Sequence, residues 1–315
     1  MPSSSALLAR IVFGTLCPLL VTLHGTGVSA AAGLNIREIA PGVYVHRGHQ
    51  AVSSTENGGD IANIGFVVGE RCVAVIDSGG SHQVGEALRQ AVRAVTALPI
   101  CYVINTHIHP DHIFGNAAFL PESPVFVGHA RLPAAMAGRG TGYRNALRRD
   151  LGPAAAESTI IPPTLTVADH LELDLGGRSL ELRAWPTAHT DNDLSVFDRA
   201  TQTLWLADLL FVGHTPVVDG NLSGWLGVID SLAATTPRHV ISGHGDSTDW
   251  RQALADQRRY LLTLRDEVRA AIRERRSLAQ AMASVGRGEQ ERWLLFDDFH
   301  RRNVAAAYAE LEWED

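Results

Sequence analysis

Short apolar runs separated by polar turns dominate the chain through residue 247, and amphipathic helical stripes take over after it. Residues 36–48 read as a strand pair around the turn Pro41-Gly42, and 63–68 with 72–76 as a hairpin around Gly69-Glu70-Arg71. Residues 83–96 put Val84, Ala87, Leu88, Ala91 and Val95 on one helical face. A strand at 101–105 follows Pro99, and Val125-Phe126-Val127 leads into a helix-rich, arginine-bearing insertion that runs through Leu151. Strands return after Ile160. In 170–175 the alternation places His170, Glu172 and Asp174 on a solvated face and Leu171, Leu173 and Leu175 opposite. Further strands fall at 179–185 and 194–197, a nearly continuous apolar run covers 204–211, and a helix at 225–232 and a last strand at 238–242 follow. Leu261, Leu264, Val268 and Ile272 stripe a helix over 248–276, and Trp293, Phe296, Phe299 and Tyr308 another over 291–311, aromatic positions that read as packing. Strands alternating with helices predict an α/β fold. With no low-complexity linker, 36–247 reads as one domain, and 248–315 as a C-terminal helical extension packed on it.

The polar residues that break this pattern carry the chemistry. Thr106-His107-Ile108-His109-Pro110-Asp111-His112 follows a strand end, and a packed core has no use for so dense a set of imidazoles and a carboxylate. On an extended backbone His107 and His109 face the same way and grip one ion. Pro110 then turns the chain, so that Asp111 and His112 address a second position nearby; Asp111 also occupies the N-cap position of a following helix. Asp77 ends the apolar strand 72–76, as a ligand or as a hydrogen-bonding post for the histidine loop. His189 lies in the turn-rich loop Pro186-Thr187-Ala188-His189-Thr190-Asp191-Asn192-Asp193, again beyond a strand end. Asp208 sits inside Leu204-Trp205-Leu206-Ala207 and Leu209-Leu210-Phe211, where an isolated carboxylate is strongly destabilising unless a cation or good hydrogen bonds meet it. His244, between Gly243 and Gly245, is a credible final ligand. His129 belongs to the pocket mouth or the surface, and His214, His239 and His300 lack comparable context.

Composition narrows the rest. The chain has 315 residues, 45% of them hydrophobic, enough for a substantial core. A formal charge of −7 without a basic run argues against a nucleic-acid partner; the expected partner is a small-molecule substrate. All 27 basic residues are arginine, so Schiff-base and lysine-nucleophile mechanisms are excluded, and an anionic substrate must be held by arginine or backbone. Residues 1–31 read as a secretory signal: Arg10, a short apolar run at 11–23, and small-residue cleavage sites around Val28-Ser29-Ala30; an uncleaved anchor is the alternative. The mature chain is then periplasmic or secreted, with no stable membrane insertion. Cys17 leaves with that segment. Cys72 and Cys101 begin neighbouring strand runs, either as a disulfide or as two buried thiols, and both sit at the strand ends away from the histidines.

The set His107, His109, Asp111, His112, His189, Asp208 and His244, with Asp77 at the first strand end, resembles the metallo-β-lactamase superfamily over 36–247. The resemblance implies an αββα sandwich and two zinc ions: His107, His109 and His189 on the first, Asp111, His112 and His244 on the second, Asp208 bridging, and Asp77 supporting the loop. It also implies a hydroxide shared by the metals that attacks an ester, thioester or amide carbonyl, with Asp111 orienting it or moving its proton. Some β-lactamases of the superfamily carry a cysteine at the position of Asp208, and some a lysine for the antibiotic carboxylate; neither is present here, and the aspartate resembles glyoxalase II-type thioesterases. The runs 188–194, 208–226 and 293–313 are similar to exported zinc metallohydrolases associated with quinoprotein dehydrogenase systems that use pyrroloquinoline quinone. Three rival functions accompany this one: a metallo-β-lactamase, an iron-dependent redox enzyme of the same fold, and a non-catalytic periplasmic binding protein. Cephalosporin turnover, stoichiometric iron and absence of any turnover would single them out. Phe211, His214, Trp225, His129 and the arginine-bearing insertion are the expected pocket lining.

Overall fold

Period-two alternation of apolar residues gives each central strand two buried faces, and two layers of core result. In β4 (Val73–Ile76), Val73 and Val75 pack outward against α1 (His82–Val95), while Ala74 and Ile76 pack inward between two sheets. The buried Val73, Val75 and Ile76 side chains contribute roughly 1.5–3 kcal/mol each. The computed structural model describes Met1 and residues 33–314; the segment read as a secretory signal lies outside them, apart from Met1.

The first sheet runs in chain order: β1 (Ile36–Ala40), β2 (Val43–His46), β3 (Ile64–Val68), β4, β5 (Ile100–Ile104), β6 (Val125–His129) and β7 (Leu165–Val167). Its pairs are antiparallel as far as β4 and parallel from there on. The second sheet has the order β12 (His239–His244), β11 (Thr203–Phe211), β10 (Leu194–Asp198), β9 (Ser179–Ala184), β8 (His170–Asp174), and only β11 with β12 is parallel. Between the sheets Val45, Val67, Ile76, Ile104 and Val127 meet Leu180, Leu182, Val196, Trp205 and Ile241. Outside the second sheet, α4 (Leu222–Ala233), α5 (Trp250–Arg273) and α7 (Phe296–Leu311) close a further core with β11 through Leu206, Trp225, Leu261, Leu264, Val304 and Ala307. This is the αββα arrangement, and residues 33–314 group within one compact unit. No helix among the described residues is long and apolar enough to cross a membrane.

Several expectations shift in detail. Val95 is exposed and Val92 takes its place in the face of α1, four residues on from Leu88 as helical spacing demands. The insertion is one long helix, α3 (Leu132–Leu151). A short helix, α6 (Leu278–Ser284), held by a capping box of Ser277 with Gln280, lies between the two predicted C-terminal helices where the sequence predicted none. Cys72 and Cys101 lie on the parallel neighbours β4 and β5, or at their edge, with Cα atoms 5.8 Å apart, and form a disulfide rather than two buried thiols.

Candidate metal centre

Strand ends from both sheets deliver the site. The chain leaves β5 through Asn105 and Thr106 and bends at His107 and Ile108 instead of remaining extended; the rings of His107 and His109 nevertheless share one cluster, with centroids 4.9 Å apart. A four-residue helix, α2 (Pro110–Ile113), then begins with Pro110 at its first position and His109 as N-cap, so Asp111 lies inside the first turn and is not the cap. Asp77, at the end of β4 with φ +54°, accepts the backbone N–H of Thr106 at 2.8 Å, its hydroxyl at 2.8 Å and His112 Nδ1 at 2.8 Å. It thus ties the start of the loop to its far end and is a post for the loop.

The second sheet contributes three groups. In the loop after β9, Asp193 accepts the Thr190 N–H and hydroxyl, and His189 Nδ1 donates to the Val217 carbonyl at 2.7 Å. In β11 the register against β12 shifts on both sides of Ala207, whose φ is +45°, and this kink re-aims Asp208 out of the alternation. A Cβ at residue 243 would collide with Asp208 Oδ1, so only glycine leaves room for the carboxylate there. His244 Nδ1 donates to the Ile61 carbonyl at 2.9 Å.

The outer nitrogens of the five imidazoles are all engaged. His107 Nδ1 faces the Thr106 hydroxyl at 3.0 Å, and since that hydroxyl donates to Asp77, the ring nitrogen is the donor. His109 Nε2 faces Asp219 Oδ2 at 3.1 Å. Every inward nitrogen is therefore left as a lone pair once the rings are neutral. His189 Nε2 and His109 Nδ1 point at one another across 2.9 Å with both outer protons committed elsewhere, an arrangement that only a proton or a cation between them reconciles. His107 Nε2, His112 Nε2 and Asp208 Oδ1 are buried without a hydrogen-bond partner. One oxygen of Asp208 lies 3.5 Å from His107 and 3.3 Å from His189, the other 3.1 Å from His112 and 3.5 Å from His244. Donor atoms of His107, His109, His189 and Asp208 fall within 4.8 Å of one another, as do those of Asp111, His112 and His244. This donor set fits two divalent ions.

The electrostatics point the same way. Burial opposes charge on His112 and His244, yet Asp208 and Asp111 outweigh it, holding His112 well above the usual imidazole range and His244 at about 9. Burial also opposes ionisation of Asp208 and Asp111, and the neighbouring imidazoles overcome it, keeping both carboxyls well below the usual range. His107 is pushed down to about 4 by burial and by His112, and His189 well below its usual value by burial and by His109. The two acidic side chains thus favour positive charge beside them, as a site for a cation would.

A cavity of about 450 Å³ opens over the cluster, lined by His109, Asp111, Asp208 and His244 at its floor and by Ile61, Tyr143, Leu147, Phe211, His214, Phe299 and Arg302 along its walls. Phe211 and His214 are where the sequence predicted them. Trp225 is fully buried behind His189, its ring 5.2 Å away, and does not line the cavity. His129 is buried and accepts the Arg131 N–H, so it serves neither the mouth nor the surface. Phe299 lines the cavity instead of only packing. Asp219 and Arg302 carried no sequence signal. Asp219 accepts from His109, from Arg139 of α3, and from Arg302 of α7 at 3.0 Å, so one carboxylate ties a site histidine to two covering helices.

The superfamily profile of the metallo-beta-lactamases matches residues 57–264. A linear primary-alkylsulfatase from a Pseudomonas sp. is 25% identical over 218 residues, which is 58% of this chain and 41% of that protein. The chain thus spans about two fifths of the length of the curated relative it matches. Among solved structures, a metallo-beta-lactamase from Pontibacter korlensis superimposes with a TM-score of 0.58 at 19% identity, over 73% of this chain and 99% of that one. The stereoselective inverting sec-alkylsulfatase of a Pseudomonas sp. gives a TM-score of 0.65 at 17% identity, over 89% of this chain and 50% of that one. From the extent of the profile match, the chain belongs to the metallo-beta-lactamase superfamily.

Proposed function

We propose that this protein is an exported zinc hydrolase that cleaves an ester, thioester or amide of a small molecule. The reading assigns His107, His109 and His189 to one zinc ion, Asp111, His112 and His244 to a second, and Asp208 to both. The observation that carries it is the common orientation of the five imidazoles, each with its outer nitrogen engaged and its inner one turned toward the two acidic side chains. Bound there, two zinc ions supply Lewis acidity toward a carbonyl oxygen and a water of lowered pKa.

The chain's own residues do the remaining work. Asp111 lies at the cavity floor with its carboxyl held ionised at neutral pH, so it accepts a hydrogen bond from water and orients it, or takes its proton. Asp77 and Asp219 fix the rings of His112 and His109 against rotation. Ile61, Leu147, Phe211 and Phe299 exclude bulk water from the reacting centre, and the cavity volume of about 450 Å³ suits a small molecule. The Cys72–Cys101 disulfide supports an oxidising, exported location. The runs 188–194, 208–226 and 293–313 support service beside a periplasmic quinoprotein dehydrogenase system.

A second reading, hydrolysis of a sulfate ester, is favoured by the alkylsulfatase relative. A screen of zinc-loaded protein against thioesters, esters, lactams and alkyl sulfates tests both. Turnover of a carbonyl substrate that chelation abolishes and zinc restores supports the main reading; turnover confined to alkyl sulfates replaces it with the second. A fully zinc-loaded chain inert toward all four classes contradicts both.

A further inference from the structure

His214, three residues beyond β11, has no role in the assignments above. It is almost wholly buried, with its ring stacked on that of His244 at 4.9 Å between centroids and 29° between planes. Phe299 and Phe211 hold the same ring, at 5.1 Å and 5.4 Å. The backbone on either side is pinned to the C-terminal region: Leu294 N–H donates to the Gly213 carbonyl at 2.7 Å, and Thr215 N–H to the Leu294 carbonyl at 3.0 Å. Neither the ring nor its backbone is free to turn.

That rigidity fixes the tautomer. His214 Nδ1 lies 2.7 Å from the carbonyl oxygen of Thr215, which can only accept, so Nδ1 carries the proton. In the neutral ring Nε2 is then a hydrogen-bond acceptor. Among the described residues it has no partner, it is not one of the buried orphaned atoms, and the ring lines the cavity beside His244, Asp208 and Asp111. Beside Phe211 and Phe299 this fixed acceptor opens into the cavity with no donor among the described residues, so a substrate that displaces water from it must supply a donor of its own.

We propose that His214 is a substrate-recognition residue whose Nε2 accepts a hydrogen bond from a hydroxyl or amide N–H on the substrate. The substrate class is thereby narrowed to small molecules that carry such a donor close to the cleaved bond. Simple alkanoyl substrates leave the acceptor unpaired and are disfavoured. This rests on the hydrolase reading only for the location of the substrate.

The test is a binding cycle that does not depend on turnover. The zinc-loaded full chain and its His214→Phe variant, which keeps the stack and removes the acceptor, are titrated calorimetrically with butyrate, 3-hydroxybutyrate and 4-hydroxybutyrate. In the wild type one of the hydroxy acids binds about tenfold more tightly than butyrate. In His214→Phe that advantage falls to within about twofold while butyrate binding is unchanged. Should His214→Phe fail to fold or to hold zinc, His214→Leu reads the same ratio. A wild type that prefers neither hydroxy acid overturns the proposal, and so does an advantage that survives the substitution. A hydroxyl preference that depends on His214 in a protein inert toward every ester would uphold this assignment and count against the hydrolase reading alone.

Discussion

Asp208 is the residue on which the two halves of the cluster turn, because its two oxygens face different sets of imidazoles. Asp208→Ala should remove at least one metal equivalent and most activity, measured by elemental analysis with turnover; retention of both metals would refute the bridging role. Protonation gives a second prediction. In the metal-free protein His112 is raised well above its usual value and His244 to about 9, whereas metal ligation requires neutral rings. Loading near neutral pH should therefore release protons, and metal affinity should climb with pH through about 9, the range in which His244 gives up its proton. Calorimetry in buffers of different ionisation enthalpy reads that release; a pH-independent affinity with no proton exchange would show that the rings are already neutral. At this scale the sequence was legible where a polar group interrupted an apolar run or clustered at short spacing, as for Asp208 and 107–112. Asp219 was not legible, since its meaning lies in a contact with His109, 110 positions away; His214 was expected at the pocket, but its fixed tautomer was not legible, because it depends on how Thr215 is pinned to Leu294, 79 positions away.

Among the elements, the kink in β11 shows how a strand is bent to serve a site. Ala207 at positive φ and the register shift beside it turn Asp208 toward the cluster, and Gly243 on β12 leaves the space it enters. Gly243→Ala should displace the carboxylate, so the variant is expected to fold yet bind metal at least tenfold more weakly, about 1.4 kcal/mol. Competition with a chromogenic chelator measures this, and unchanged affinity would mean that the neighbouring backbone yields at little expense. The disulfide is a property of β4 and β5. It closes a loop of sequence separation 29, for which the chain-entropy account gives about 3–4 kcal/mol. Cys72→Ser should lower stability to denaturant by that order and leave metal content intact; a stability equal to wild type would indicate that the bridge does not form. Strand positions were readable from alternation, and the turn at Pro110 from its ring. The bend at His107 was not, because it depends on the bonds Asp77 makes to Thr106 and His112 across the sheet.

For the whole molecule, the sandwich places four candidate ligands on the first sheet's side and three on the second's, so the centre exists only when the halves are packed together. The inter-sheet core of β4, β5, β9 and β11 residues holds that geometry. The α/β class followed from the alternation of strands and helices alone, and the pairing of halves from the resemblance carried by the ligand set. The contribution of α7 to the cavity did not follow from either: Phe299 belongs to a stripe that reads equally well as ordinary packing, and Arg302 carried no signal. The most direct test of the account is the metal content of the full chain, expressed and purified without chelator and assayed by elemental analysis. Two zinc ions per chain are predicted. One metal or none, or stoichiometric iron in place of zinc, would contradict it.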